Sequence, residues 1–358
     1  VTFALAATTA LPTYNSLLLA DGFASFGILS YLLLASPGRL SRLEQAFLGA
    51  VLLVSVVSHL THIMMLIGMV AALALLAWAR FSPKPPRAAW IAGMGGIVIG
   101  FASVQATALA TKLAFGHEPQ LLPLLTARFI ADGPGREYIE SGCDNRRFEF
   151  CKVPIGNPNS NPLILFGRTP RDGAYMLAGP EQRRRMGEED VAFALAVIRH
   201  DPAGQIGAMA RNTVRQLAYI DYDGLNQDCF ARTNCWESLP TRIRDRLRST
   251  PSGRGGWPQK AMNILLYAVV LSSLAALALV SPAIARRDPD RWRLLRTWLL
   301  VGFAAMLVCA FFGGAVAEPQ YRYQGRLIWL VPLLASIAIL IRLQLAGKLE
   351  STRRVAEA

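Results

Sequence analysis

The sequence predicts a mainly α, polytopic membrane protein with about seven whole transmembrane helices and one α+β extracytoplasmic domain inserted between them. Composition is the first reason, because the chain is 53% apolar and only 17% charged, whereas soluble domains are about 25% charged. The second is a series of apolar windows of about 17–25 residues, the length that crosses a hydrocarbon core of roughly 30 Å. The third is a long polar region, about 116–258, that interrupts these windows.

Residues 1–115 are predicted to form an N-terminal membrane bundle. The apolar stretch 46–79 is too long for one helix and contains His59 and His62 near its middle, so we divide it there. The predicted spans are about 18–35, 46–58, 63–79 and 88–110. The run 1–11 is too short to cross, so we interpret it as the tail of a span that begins upstream or as an interfacial segment.

Residues 259–346 are predicted to form a C-terminal membrane bundle, with three spans at about 261–280, 298–316 and 327–345. Residues 347–358 are predicted to be a cytoplasmic tail. In the N-terminal bundle, Gly96 and Gly100 form a GxxxG pair, which allows two membrane helices to approach closely.

The inserted domain, 116–258, shows two kinds of pattern. Clusters of Gly, Pro and Asn in its first half indicate turns, and the short apolar pieces 148–151 and 163–166 are interpreted as strands or extended segments. Its second half is helical, with Asp201 and Pro202 as an N-cap followed by proline at the first helical position. The insert is therefore predicted to be α+β.

The insert contains four of the five cysteines, in two pairs with short spacings, Cys143–Cys151 and Cys229–Cys235. We interpret both pairs as disulfides. Metal binding is the competing explanation, but it calls for CxxC spacing or nearby histidines, and the insert offers neither, so no metal site is predicted. Because disulfides persist in oxidising compartments, the pairs place the insert outside the cytoplasm.

Charge supports the same orientation. With the insert outside, the inner loops carry most of the basic residues near the spans: Arg39, Arg42, Arg80, Lys84, Arg87, Arg286, Arg287, Arg291, Arg293, Arg296, Arg342, Lys348, Arg353 and Arg354. The short outer turns 12–17, 58–62 and 317–326 carry only Arg322 and Arg326. This asymmetry follows the positive-inside rule. It also accounts for the net charge of +13 without a nucleic-acid partner.

Three groups of polar residues near the predicted outer face are candidates for chemistry, because ionisable groups at membrane depth are costly. Asp21 is either a carboxylate that favours a helix N-terminus or one that orients a sugar, a metal or an attacking hydroxyl. His59 and His62 form either a polar interfacial turn or part of a site. The last outer turn contains Glu318, Tyr321, Arg322, Tyr323 and Arg326. These residues either anchor the chain at the interface or bind a lipid phosphate.

Three segments together resemble bacterial polytopic membrane proteins of the GT-C type. They are Leu17–Ala24 (LLLADGFA), Ser58–His62 (SHLTH) and Tyr321–Arg326 (YRYQGR), the last leading into Pro332. The resemblance is to the lipid-phosphate-sugar-dependent glycosyltransferases, which include the protein mannosyltransferase and aminoarabinose transferase groups. The insert segment Arg128–Gly135 (RFIADGPG) resembles a branch of the same bacterial proteins.

The resemblance implies a glycosyltransferase of the bacterial cytoplasmic (inner) membrane, with the large loop in the periplasm and the C-terminus in the cytoplasm. It would move a sugar from a polyprenyl-phosphate donor to an acceptor at the periplasmic face. Arg322, Arg326 and Tyr323 would bind the donor phosphate. In that superfamily a carboxylate in the first outer loop is catalytic. That position, with the first span and loop, has no counterpart in this chain, and Asp21 matches a second acidic position downstream.

The sequence leaves a second hypothesis open, a non-catalytic membrane subunit or scaffold whose periplasmic domain binds a partner protein. Under the first hypothesis the partners are membrane lipid and a polyprenyl-phosphate sugar, and a divalent metal stays open as a cofactor. The spans show little charge for an ion path, which makes a transporter the third choice.

Overall fold

The computed structural model describes residues 9, 22–38, 40–156, 160–169, 173–222 and 240–357. The chain is 78% helical, and no strand occurs in the described residues. The fold is that of a mainly α, multi-pass membrane protein.

Four helices form the N-terminal part: α1 (Phe23–Leu34), α2 (Arg42–Ser58), α3 (Leu60–Trp78) and α4 (Arg87–Phe115). Helix α2 begins with a capping box, in which Ser41 Oγ accepts from the Glu44 amide and Glu44 Oε2 accepts from the Ser41 amide. The chain breaks between α2 and α3 at His59, whose extended backbone cannot continue a helix. Helices α3 and α4 run antiparallel, since Gly96 packs on Leu66 and Gly100 on Ile63.

Four helices form the C-terminal part: α12 (Gln259–Arg287), α13 (Pro289–Phe311), α14 (Tyr321–Gly325) and α15 (Leu330–Glu357). A π-helical segment, Phe312–Val316, extends α13. Gly68 of α3 faces Val308 of α13, and Gly302 of α13 faces Leu330, so α13 joins the two halves of the bundle.

Five helical stretches are long and apolar enough to cross a membrane: Leu60–Trp78, Arg87–Phe115, Gln259–Arg287, Pro289–Val316 and Tyr321–Gly347. The fourth combines α13 with its π-helical extension, and the fifth combines α14 with the first part of α15. The predicted count of seven spans is therefore not supported in the described residues. The remaining two predicted spans correspond to α1 and α2, which have 12 and 17 residues. A helix of 12 residues extends about 18 Å, which is shorter than the hydrocarbon core.

Contacts between helix ends define two ends of the bundle. At one end, Arg296 donates to the Phe81 carbonyl and its guanidinium lies 4.9 Å from the centre of the Phe81 ring. Arg291 Nη1 donates to Gln344 Oε1 at 2.8 Å there. This basic end contains the start of α13, the loop after α3 and the later part of α15. The insert attaches at the opposite end, which we call the insert end.

The described part of the insert contains seven helices of six or more residues: α5 (Leu124–Asp132), α6 (Pro134–Glu140), α7 (Asn161–Phe166), α8 (Pro180–Glu188), α9 (Asp190–His200), α10 (Pro202–Ala218) and α11 (Thr241–Ser249). A four-residue helical turn, Cys143–Arg146, and two 3-10 segments, Glu149–Lys152 and Tyr175–Leu177, complete it. Its core is separate from that of the membrane bundle. Phe193 is central to it, with edge-to-face contacts to Tyr138 at 5.7 Å and to Phe148 at 5.5 Å. Such aromatic pairs stabilise a core beyond their buried area.

The strands predicted in the insert are wrong. Residues 148–151 fall mostly in a 3-10 turn, Glu149–Lys152, and residues 163–166 belong to helix α7. Residues 163–166 are helical for a local reason. Pro162 lies in the first turn of α7, where the amide hydrogen that proline lacks would have no partner within the helix. The α+β description of the insert is therefore not supported, and its described part is helical. The predicted start of α10 is confirmed, since the Asp201 side chain accepts from the Gly204 amide at 2.9 Å.

Candidate functional site at the insert end of the bundle

Arg326 is the most deeply buried charged residue at the insert end. It follows α14, and its side chain is 1% exposed. Its guanidinium carbon lies 5.6 Å from the centre of the Tyr323 ring, and Nη2 lies 3.7 Å from Cys309 Sγ. A guanidinium keeps its charge even in such surroundings. A fixed positive charge is therefore held at the end of the bundle.

The backbone of Arg326 is tied to the first turn of α1. Its carbonyl oxygen accepts from Ser25 Oγ at 2.6 Å and from Trp329 Nε1 at 2.9 Å. Ser25 and Trp329 also contact each other at 3.0 Å, and both are buried. This three-residue network positions Arg326 next to the start of α1, although the two segments are about 300 residues apart in the chain.

Two glycines make the close packing around Arg326 feasible. A Cβ on Gly313 would lie 2.7 Å from Tyr323 Cδ2, and one on Gly314 would lie 2.8 Å from the carbonyl carbon of Asn212 in α10. Larger residues would push Tyr323 away from Arg326 and α10 away from the bundle. The Gly-Gly pair at the end of the predicted span 298–316 was the sequence signal for this packing, and our sequence interpretation did not use it.

Arg322 and Arg326, predicted to act together, occupy different environments. Arg322 is exposed, with its guanidinium carbon 5.3 Å from the centre of the Tyr323 ring, while Arg326 is buried. Tyr323 therefore lies near both cations. Of these two arginines, Arg326 is held in a water-poor setting and Arg322 is not.

Glu318 contacts the insert. Ser160 Oγ lies 3.2 Å from Glu318 Oε1 and 3.4 Å from Oε2. Two further contacts join the insert to the same turn. Gln216 Nε2 donates to the Gln320 carbonyl at 2.9 Å, and the Gln320 amide donates to Gln216 Oε1 at 2.7 Å. Tyr219 stacks on Tyr321 with 4.4 Å between ring centres and an angle of 9°.

His59 and His62 have different local roles. His59 Nδ1 accepts from the Thr61 amide at 3.1 Å and so caps α3. His62 is 3% exposed, and its Nδ1 lies 2.7 Å from the Ser55 carbonyl oxygen. Beside His62 is a small cavity between α1, α2 and α3, lined by residues that include Ala24, Gly27, Ile28, Ser55 and Met69. Since Ala24 precedes Ser25, the cavity and Arg326 adjoin the same turn of α1.

The structure describes some of the remaining predicted site residues and not others. Cys143 and Cys151 form a disulfide with their Cα atoms 6.1 Å apart. Asp21, Cys229 and Cys235 lie outside the described residues. Within the described part of the chain, no group of three His, Cys, Asp or Glu side chains is arranged to hold a metal ion.

The insert segment Arg128–Gly135 has a structural role that its sequence did not reveal. Arg128 pairs with Asp132, and both side chains are buried. Asn212 Nδ2 also donates to Asp132 at 2.8 Å, which holds α5 against α10. Gly133 has a φ of 111°, which favours glycine at the turn between α5 and α6.

Comparison with protein-family models, with curated proteins and with solved structures finds no match to this chain.

Proposed function

We propose that the protein is a GT-C-type glycosyltransferase that uses a polyprenyl-phosphate sugar as donor. The observation that carries this proposal is the buried guanidinium of Arg326 beside the first turn of α1. An arginine at this depth matches the lipid phosphate in charge and hydrogen-bond geometry, and it lies at the end of the bundle where a lipid headgroup would lie.

In the proposed reaction Arg326 binds the donor phosphate, and Tyr323 limits the movement of the guanidinium through ring contact. The acceptor hydroxyl attacks the anomeric carbon of the sugar. The bond from that carbon to the phosphate oxygen breaks, and polyprenyl phosphate leaves with the electron pair. Asp21, four residues before Ser25 in the chain, accepts the hydroxyl proton as general base.

The proposal includes an orientation in a bacterial inner membrane. The basic end of the bundle faces the cytoplasm, in keeping with the positive-inside rule, and the C-terminus lies on that side. The insert lies in the periplasm. The disulfide between Cys143 and Cys151 supports this orientation, because such bonds persist in oxidising compartments.

Transfer of labelled sugar from a polyprenyl-phosphate donor by membranes with matched expression tests the proposal. We expect Asp21→Asn to abolish transfer. Arg326→Lys keeps the charge but loses the bidentate geometry, so transfer should fall about 10- to 100-fold. The matched control is Arg322→Lys at the exposed arginine, which should stay within about twofold of wild type.

Two results would count against the enzyme. One is full transfer by Asp21→Asn, which would remove that residue from the mechanism. The other is no transfer by the wild type, together with a stoichiometric protein that co-purifies through the insert. That second result would favour the non-catalytic scaffold.

A further inference from the structure

Helix α11 (Thr241–Ser249) differs from every other helix of the described insert, because none of its residues is buried. It contains four arginines and one acidic residue in the sequence TRIRDRLRS. Two of its exposed residues are apolar, Ile243 at 48% and Leu247 at 37%. Exposed helices with this composition are typical of surfaces that bind a membrane or another molecule.

The residues of α11 sort into three zones around the helix axis. At 100° per residue, Ile243 and Leu247 form one apolar stripe. The other residues lie around that stripe in a fixed order: Arg242 and Arg246 on one flank, Arg244 and Arg248 on the other, and Thr241, Asp245 and Ser249 opposite. An apolar stripe with arginines on both flanks is the pattern of a helix that lies flat at a membrane surface.

The position of α11 in the chain brings it to the membrane surface. Residues 250–258 connect it to α12, a membrane-crossing helix that begins at Gln259. Trp257, in that connection, is 42% exposed, and tryptophan is enriched at the level of lipid headgroups. The exposed apolar surface of α12 begins soon afterwards, with Ile264 at 71%. The nine-residue connection 250–258 therefore keeps α11 close in the chain to the start of a membrane-crossing helix.

We infer that α11 lies in the plane of the bilayer at the insert end and binds anionic phospholipid headgroups. Ile243 and Leu247 insert at the boundary of the acyl chains, and the flanking guanidiniums reach the lipid phosphates on both sides. Asp245 stays in water on the opposite side. This inference does not depend on the proposed enzymatic activity.

The arginine run in α8 provides an internal contrast. Arg184 pairs with Glu181 and Glu188, and Arg185 also pairs with Glu181. Hydrogen bonds from these two arginines lower the pKa of Glu181 to about 2. With three arginines and two glutamates, α8 therefore carries a formal charge of only +1. In α11 four arginines accompany a single acid, Asp245, so the helix carries a formal charge of +3.

Hydrogen–deuterium exchange of the full-length protein in lipid nanodiscs tests the inference. Discs of phosphatidylcholine alone are compared with discs that also contain phosphatidylglycerol. We expect the amides of 243–249 to exchange at least about tenfold more slowly with phosphatidylglycerol present, because each arginine gains from an anionic surface. The triple variant Arg242→Gln, Arg244→Gln, Arg246→Gln should lose this difference.

The control removes the same charge elsewhere in the insert, with Arg168→Gln, Arg199→Gln and Arg211→Gln, three exposed positions. It should keep the lipid-dependent protection. Both variants must retain the Cys143–Cys151 disulfide and the wild-type elution profile. Equal exchange of 243–249 in the two kinds of disc would overturn the inference. So would equal protection in neutral detergent without lipid, which would show that other parts of the chain, and not anionic lipid, cover α11.

Discussion

At the scale of single residues, Arg322 and Arg326 lie four positions apart in one turn but in different surroundings. The sequence placed both in the last predicted outer turn and therefore in one candidate site. Helix α14 ends at Gly325, yet Arg326 keeps helical backbone angles, with φ −74° and ψ −14°. Arg326 is buried through its contacts with Tyr323, Cys309 and Ser25, whereas Arg322 is exposed. Contacts between distant parts of the chain decide which of the two arginines is covered, and local sequence patterns do not report such contacts.

Gly314 is expected to be sensitive to the smallest side chain. Gly314→Ala would place a methyl group 2.8 Å from the Asn212 carbonyl carbon, so it should destabilise the protein by about 1–3 kcal/mol. The control is Gly95→Ala in α4, where a Cβ would meet nothing within 4 Å. Thermal unfolding of the detergent-solubilised protein measures both. Equal melting temperatures for the two variants would show that α10 does not pack on this segment.

Asp190 should make stability depend on pH. Burial raises the pKa of this carboxyl, although it accepts from the Thr126 amide at 2.7 Å and the Leu125 amide at 3.3 Å. A raised pKa favours the protonated form in the folded state. Its contribution to stability is therefore present below the ordinary Asp pKa of about 3.9 and is lost as pH rises through the raised value.

Asp190→Asn isolates this contribution. As pH rises from about 4, the melting temperature of the wild type should fall relative to that of the variant. Melting curves of both proteins across that range provide the measurement. A difference that stays constant with pH would mean that Asp190 has an ordinary pKa in the folded protein.

At the scale of elements, helices with strong local signals could be predicted and the rest of the insert could not. The break between α2 and α3 falls at His59, inside the predicted 58–62 turn, because no single helix of 46–79 would fit a bilayer. The 148–151 and 163–166 segments are too short for periodicity to separate strand from helix. Their form depends on the Phe193 core and on Pro162, which act beyond the pattern of the segments themselves.

Docking of α10 on the last outer turn should depend on Gln216, whose side chain is fully buried. Gln216→Leu removes both hydrogen bonds to Gln320 and leaves that residue's amide and carbonyl unsatisfied, at about 1–3 kcal/mol each. Hydrogen exchange of 312–321 should become faster. The exposed Gln120→Leu serves as control and should leave that exchange unchanged. Unchanged exchange in Gln216→Leu would show that other contacts hold the insert in place.

At the scale of the whole molecule, the membrane class was readable from the sequence. Apolar windows succeed because they report the average environment of a whole segment and not single contacts. The site depends on contacts between distant parts of the chain. Ser25 meets Arg326 across about 300 residues, and nothing local to either residue indicates that contact.

The proposed orientation can be tested by thiol labelling. Gln120→Cys lies at an exposed position beyond the insert end of α4, and the side chain of Asp290, at the basic end, is 94% exposed. In intact spheroplasts a membrane-impermeant maleimide should label the Gln120→Cys variant. The Asp290→Cys variant should be labelled only after the spheroplasts are lysed. The parent chain provides the background. The reverse pattern would invert the topology.

The most direct test of the proposed donor site is native mass spectrometry of the purified protein with bound lipid. We predict that the wild type and Arg322→Gln retain a polyprenyl-phosphate lipid and that Arg326→Gln loses it, because only the buried guanidinium is held in place for the phosphate. Retention of that lipid by Arg326→Gln at the wild-type level, or its absence from the wild type, would contradict the account.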